Sequence, residues 1–197
     1  MRKIAILIVS ALLCISCQEV EKKYTQKKKV SKASENYWDR IQSLCGKSFE
    51  GKLNHPKEDT VFGEKSLIMH VRKCEDGKIK IPFFVGEDKS RTWILSKKNG
   101  KIELKHDHRH SDGSPKEITM YGGLSTNVGF DSLQVFPADQ KTAELLPAAA
   151  GNIWWMTITD STFSYNLRRM GSDRLFTVTF DLTQALEPPA APWGWEE

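Results

Sequence analysis

The stretch "RTWILSKKNGKIELKHDHRH", Arg91 to His110, decides how this chain folds. Asn99-Gly100 is the dipeptide that a two-residue hairpin needs, because both of its positions adopt φ > 0. With that pair at the tip, Leu95 faces Leu104, Trp93 faces His106 and Arg91 faces His108. Lys97 falls opposite Ile102, near the turn, where its long stem reaches water. Glu103, Lys105, Asp107 and Arg109 occupy the other face of the second strand, and four charges on one face belong in water. His106 and His108 therefore share the core-facing side with Trp93 and Leu95. His110 stands beside Ser111 and Asp112 at the strand's end, where an exposed rim is expected.

The same period of two runs outward in both directions. Strands are expected over Lys47–Leu53, Leu67–Cys74, Lys78–Val85, Arg91–Lys97, Lys101–His110, Lys116–Tyr121, Ile153–Thr159, Phe163–Arg168 and Leu175–Leu182. Asp76-Gly77 and Asp112-Gly113 add two more hairpin signals. Strands joined this way form an antiparallel meander, and closing the sheet removes its exposed edges. The expected fold is all-β: an antiparallel barrel of about 8–10 strands with a short capping helix before it. That helix lies in "SENYWDRIQSLC", with Ser34 as N-cap and Trp38, Ile41, Leu44 and Cys45 on one face. Between Gly122 and Asn152 the alternation lapses. "FPADQKTAELLP" reads as a short helix there and the rest as a long loop. The closing "LEPPAAPWGWEE" is a Pro-rich tail whose Trp193 and Trp195 either dock on the barrel or stay mobile.

The N-terminus "MRKIAILIVSALLCISC" has a positive n-region, an apolar run too short to span a bilayer as a stable helix, and small Ser16 before Cys17. It resembles a bacterial lipoprotein signal, which implies cleavage before Cys17, lipid on its thiol and, with Gln18 following, the outer membrane. An ordinary signal peptide cleaved elsewhere is the alternative. Residues 1–16 are then the signal, 17–33 a flexible lysine-rich tether, 34–186 the barrel and 187–197 the tail. Removing Arg2 and Lys3 lowers the formal charge from +4 to +2, too little for a nucleic-acid binder. Cys45 and Cys74 remain in an oxidising compartment. A register with Leu53 opposite Ser66 brings them face to face, and a disulfide between them is expected, with two unlinked thiols as the alternative.

A short helix, then "LCGKSFEGKL", then antiparallel hairpins ending in "FTVTFDL", resembles calycin-type barrels, the lipocalins and nitrobindin-like proteins. Phe49 stands where the lipocalin first strand usually has Trp. More closely, "YWDRIQSLCGKSFEG", "SRTWIL" and "KHDHRHSDGSP" are similar to an uncharacterised family of secreted bacterial proteins, over about residues 37–182. That resemblance implies no activity.

Function must come from the residues. The main expectation is a lipid-anchored envelope protein that binds a small ligand, anionic or haem-like, inside the barrel. Arg91, Trp93, His106 and His108 would line the pocket, Arg91 selecting an acidic group. The second is a metal-dependent hydrolase using His106 and His108, which lie about 7 Å apart along the strand and can share one zinc ion if Glu117 or His70 supplies a third ligand. Non-covalent haem on one histidine is a variant of the first, since no covalent attachment motif is present. The third is a structural or adhesion lipoprotein with its barrel filled by side chains. No nucleotide-binding or nucleophile-elbow motif is present.

Overall fold

The computed structural model describes residues 32–127 and 129–195, so the signal segment and Cys17 lie outside the described residues. The chain runs α1 (Lys32–Gln42), β1 (Ser48–His55), β2 (Leu67–His70), β3 (Lys73–Glu75), β4 (Lys78–Val85), β5 (Asp88–Lys98) and β6 (Lys101–His108). It continues with β7 (Tyr121–Leu124), β8 (Leu133–Pro137), α2 (Gln140–Leu145), a 3-10 turn at Pro147–Ala149, then β9 (Asn152–Ile158), β10 (Thr162–Arg169) and β11 (Leu175–Asp181). The strands form one antiparallel sheet in the order β7-β6-β5-β4-β2-β1-β11-β10-β9-β8, with β3 beside β4. It is a nearly closed barrel. Every neighbour on that path is also a neighbour in sequence apart from β3 and the β1–β11 closure, as short hairpins require.

The β5–β6 hairpin has the expected register: Arg91 faces His108, Trp93 faces His106 and Leu95 faces Leu104. Asn99 and Gly100 at its tip have φ of 51° and 74°, the left-handed pair that the dipeptide supplies. Inward residues on alternate positions fill the barrel. Trp154, Phe163, Phe180, Ile81, Leu95 and Leu104 are all essentially inaccessible.

The seam between β7 and β8 carries no strand ladder. It is closed instead by α2 and the residues before it. Asp139 donates its backbone N–H to Gly122 O at 2.9 Å. Thr142 Oγ1 accepts from Gly122 N at 2.7 Å and donates back to Gly122 O at 2.8 Å. A Cβ on Gly123 would stand 1.8 Å from Pro137 O, so only glycine lets the two chains come this close.

One end of the barrel is capped by α1, which buries Tyr37, Trp38 and Ile41. Glu35 pairs with Lys97 at 2.6 Å beside the β5–β6 tip, and Arg40 pairs with Asp160 at 2.7 Å in the β9–β10 turn. Ser34 lies inside α1 and is buried, so it is not the N-cap; the helix already runs from Lys32.

The disulfide Cys45–Cys74 is present, with Cα atoms 6.2 Å apart. The register beside it differs by one residue from the expected one, with Gly51 opposite Leu67 and Phe49 opposite Met69. Apolar alternation explains this, because the observed pairing sends Phe49 and Met69 inward together. The cysteines still meet because the strand is irregular at Val71-Arg72. Leu67 faces Val85, but Lys73 faces Lys80, which is one residue out of step.

Two more expectations are corrected. No strand covers Lys116–Tyr121; the Asp112-Gly113 turn leads into a segment held to β6 at wide intervals, by Lys116 N to His108 O and Met120 N to His106 O. The strand β7 begins only at Tyr121. The supposed long loop after Gly122 contains β8, which pairs fully with β9. The tail docks: Trp193 N donates to Lys89 O, Pro192 is buried, and the Trp195 ring lies 5.1 Å from Lys80 Nζ.

Candidate functional site at the open mouth

The end opposite α1 is left open. A cleft of about 160 Å³ there is walled by Phe62, Phe83, Trp93, Tyr165 and Phe176, with Arg91, Arg174, His108 and Tyr121 among its polar lining. Trp93 forms its floor, stacked on Tyr165 at 4.4 Å and Phe83 at 4.8 Å. Offset stacks of this kind lock the floor in place.

All four expected site residues come to this end, in different roles. His106 is buried beneath the cleft. Its Nδ1 lies 3.0 Å from Tyr121 O and its Nε2 lies 2.7 Å from Tyr165 OH. A carbonyl only accepts, so Nδ1 carries the proton, and Nε2 accepts from the tyrosine hydroxyl. Burial pushes the His106 pKa down to about 3 and holds Tyr165 far above its usual value. His106 is therefore a neutral structural bracket between β7 and β10.

His106 and His108 both line the cleft, and His108 is the less buried of the two. Its Nε2 lies 3.0 Å from Tyr121 OH. Burial, helped by the charges of Arg91 and Lys116, lowers its pKa to about 4, while burial raises Tyr121 to about 12. Both groups are neutral at pH 7. If Tyr121 donates to His108, the ring offers Nδ1–H; if His108 donates, the phenol offers O–H. Either way the pair presents one donor to the mouth.

Arg91 is inward and half-buried as expected. Its partner is Asp88, 2.6 Å away, and its guanidinium lies 5.3 Å from the Phe62 ring. The charge expected to await an anion is already matched. Arg174, after the Gly171 turn, also lines the cleft, is exposed, and has no ion-pair partner among the described residues. Sequence reading missed it because a turn residue has no periodicity to place it. Tyr165 was legible in principle, since it alternates with Phe163 and Leu167.

Zinc and haem do not fit these residues. No group of three His, Cys, Asp or Glu converges among the described residues. Both His106 nitrogens are engaged. Glu117 is exposed, and His70 is buried on the outer side, alternating with inward Met69. The cleft is also well below the roughly 300 Å³ at which pockets for drug-sized ligands begin, so a porphyrin has no room.

His110 is exposed at the rim, as expected. Asp107 and Arg109 do point outward, but Asp107 is only 6% exposed instead of open to water. Arg109 Nε lies 3.0 Å from both of its oxygens and Thr119 Oγ1 donates to it at 3.1 Å, so pairing makes the burial tolerable. A wider groove of about 1020 Å³ runs over this outer face beneath Trp195. Several of its cations are bound in ion pairs, including Lys97 with Glu35, Lys98 with Glu103 and Lys105 with Asp139, while Lys80 lies over the Trp195 ring.

Comparison with known proteins finds no family model that matches this chain, no similar curated protein and no similar solved structure.

Proposed function

We propose that this chain is a lipid-anchored bacterial envelope protein that binds one small organic ligand at the open mouth of its barrel. One observation carries the binding half of the reading. Buried side chains fill the barrel's interior, and at the end opposite α1 aromatic rings face a cleft that also holds a hydrogen-bond donor from His108 and Tyr121. Apolar walls with a few convergent polar groups are the usual make-up of a ligand site. The lipid anchor rests on Cys17 and the residues before it, and Gln18 favours the outer membrane. Ligand-induced shifts in melting temperature test the binding. Single-ring compounds should stabilise the protein, and His108→Ala or Tyr121→Phe should weaken the effect.

The close packing of the remaining interior favours a second reading, a structural or adhesion lipoprotein. If a library of single-ring compounds produces no shift at all, that reading replaces the first.

A further inference from the structure

We propose that the mouth selects a small single-ring carboxylate, and that Arg174, rather than Arg91, supplies the selecting charge. This rests on the mouth being a ligand site.

Charge comes first. Arg91 and Arg174 line the cleft, and Lys116 lies close enough to act on His108. Asp88 neutralises Arg91 through a 2.6 Å contact. Asp107, the other carboxylate acting on His108, is held by Arg109. Among the described residues the guanidinium of Arg174 has no such partner, so the mouth keeps an excess of positive charge. A cationic ligand is repelled there. An anion gains a planar guanidinium able to make two parallel hydrogen bonds to a carboxylate.

Shape comes second. The rings of Phe62, Phe83, Trp93, Tyr165 and Phe176 give an apolar wall that a bare inorganic anion would leave uncovered. Beyond the guanidinium groups, the His108–Tyr121 pair adds a single donor against a largely aromatic wall, which suits a ligand with one acidic group better than a ring of hydroxyls. The volume of about 160 Å³ holds roughly five waters at ~30 Å³ each, which suits one ring with one acidic group. Stacking against the wall and pairing with Arg174 together describe an aromatic or comparably flat monocarboxylate.

Calorimetric titration of the purified full-length mature chain tests this with three probes: benzoate, benzyl alcohol and acetate. Benzoate should bind at least about fivefold more tightly than benzyl alcohol, the discrimination expected of a partly exposed charge pair worth about 1 kcal/mol. Acetate should bind more weakly than either. The preference should shrink as salt is added. Arg174→Gln should remove the preference for benzoate and leave benzyl alcohol unchanged, while Arg174→Lys retains part of it. Arg174 is exposed, so these variants should fold normally. Equal binding of benzoate and benzyl alcohol, or an unaltered preference in Arg174→Gln, overturns the charge assignment while the ligand site stands. Binding of neither ring compound overturns the ligand site itself.

Discussion

His106 shows at the level of one residue how much a pattern can fix and where it stops. The Asn99-Gly100 turn and the charged alternation on the far face place its ring inside, next to Trp93, and the structure agrees. The pattern does not reveal that Tyr121 O and Tyr165 OH occupy both ring nitrogens, because those partners arrive from strands 15 and 59 residues away. Arg174 was illegible for a related reason: only the closed barrel brings the β10–β11 turn over the mouth. The bracket role has a cost in acid. An unfolded histidine titrates near 6.5, whereas His106 and His108 in the fold titrate at about 3 and about 4. Between those values the unfolded chain takes up protons that the folded chain refuses. Stability is thus full above pH 6.5 and falls as the pH drops, each histidine contributing up to about 1.4 kcal/mol per pH unit. Urea midpoints between pH 7 and pH 4.5 should decline accordingly, and a His106→Leu variant should decline less steeply. That variant should itself lose about 2–4 kcal/mol at pH 7, since Tyr165 O–H and Tyr121 C=O are left unpaired. Adding Tyr165→Phe should recover about 1 kcal/mol; no recovery in a double-mutant cycle would argue against the bracket.

Among the elements, the long alternating strands were legible, as were the short β2 and most of β3 within the expected Leu67–Cys74, but β7 and β8 were not. The predicted Lys78–Val85 coincides with β4, whereas β8 has only five residues and only two inward side chains, Gln134 and Phe136, the first of them polar. The segment before β7 was misread because the turn at Ser111–Gly113 folds the chain back on β6 through the His110 N to Ser114 O bond and an isolated Arg109–Pro115 bridge, but no continuous ladder follows until β7. Apolar periodicity cannot distinguish those outcomes. The Cys45–Cys74 bond was correctly expected from a register one residue out, since the irregularity at Val71-Arg72 was invisible in sequence. Replacing both cysteines by serine should cost about 3.5 kcal/mol in the chain-entropy view of a loop with a sequence separation of 29. Guanidinium unfolding of the double variant measures it directly. Gly123→Ala is the sharper test of the seam. Its Cβ would press on the Pro137 carbonyl, a backbone atom that cannot rotate away. A loss of at least about 3 kcal/mol, or failure to fold, is expected, and a wild-type unfolding midpoint would show that β7 and β8 are not held as described.

Over the whole molecule, the barrel is a vessel with one end stoppered and the other ajar. The α1 stopper lies at the start of the described residues, at the end of the barrel away from the mouth, and the proposed anchor at Cys17 lies outside those residues. Mass spectrometry of the native N-terminus checks that anchor: an acylated Cys17 is expected, and an unmodified Gln or Ser at the start would remove it. The sheet is held by backbone ladders all the way round, save at the β7–β8 join, where one threonine hydroxyl and one backbone amide stand in for a ladder. Tyr121 begins β7 and walls the cleft, next to Gly122 at the join, so the join and the mouth share a strand. Hydrogen exchange should therefore be uneven around the ring. Amides of β7 and β8 should exchange soonest among the strands, and those of β4, β5 and β6, deep in paired sheet, should be the last to do so. A ligand seated against Tyr121 would slow exchange at the join before anywhere else. Breathing at that one staple would give a guest larger than the resting cleft a way in.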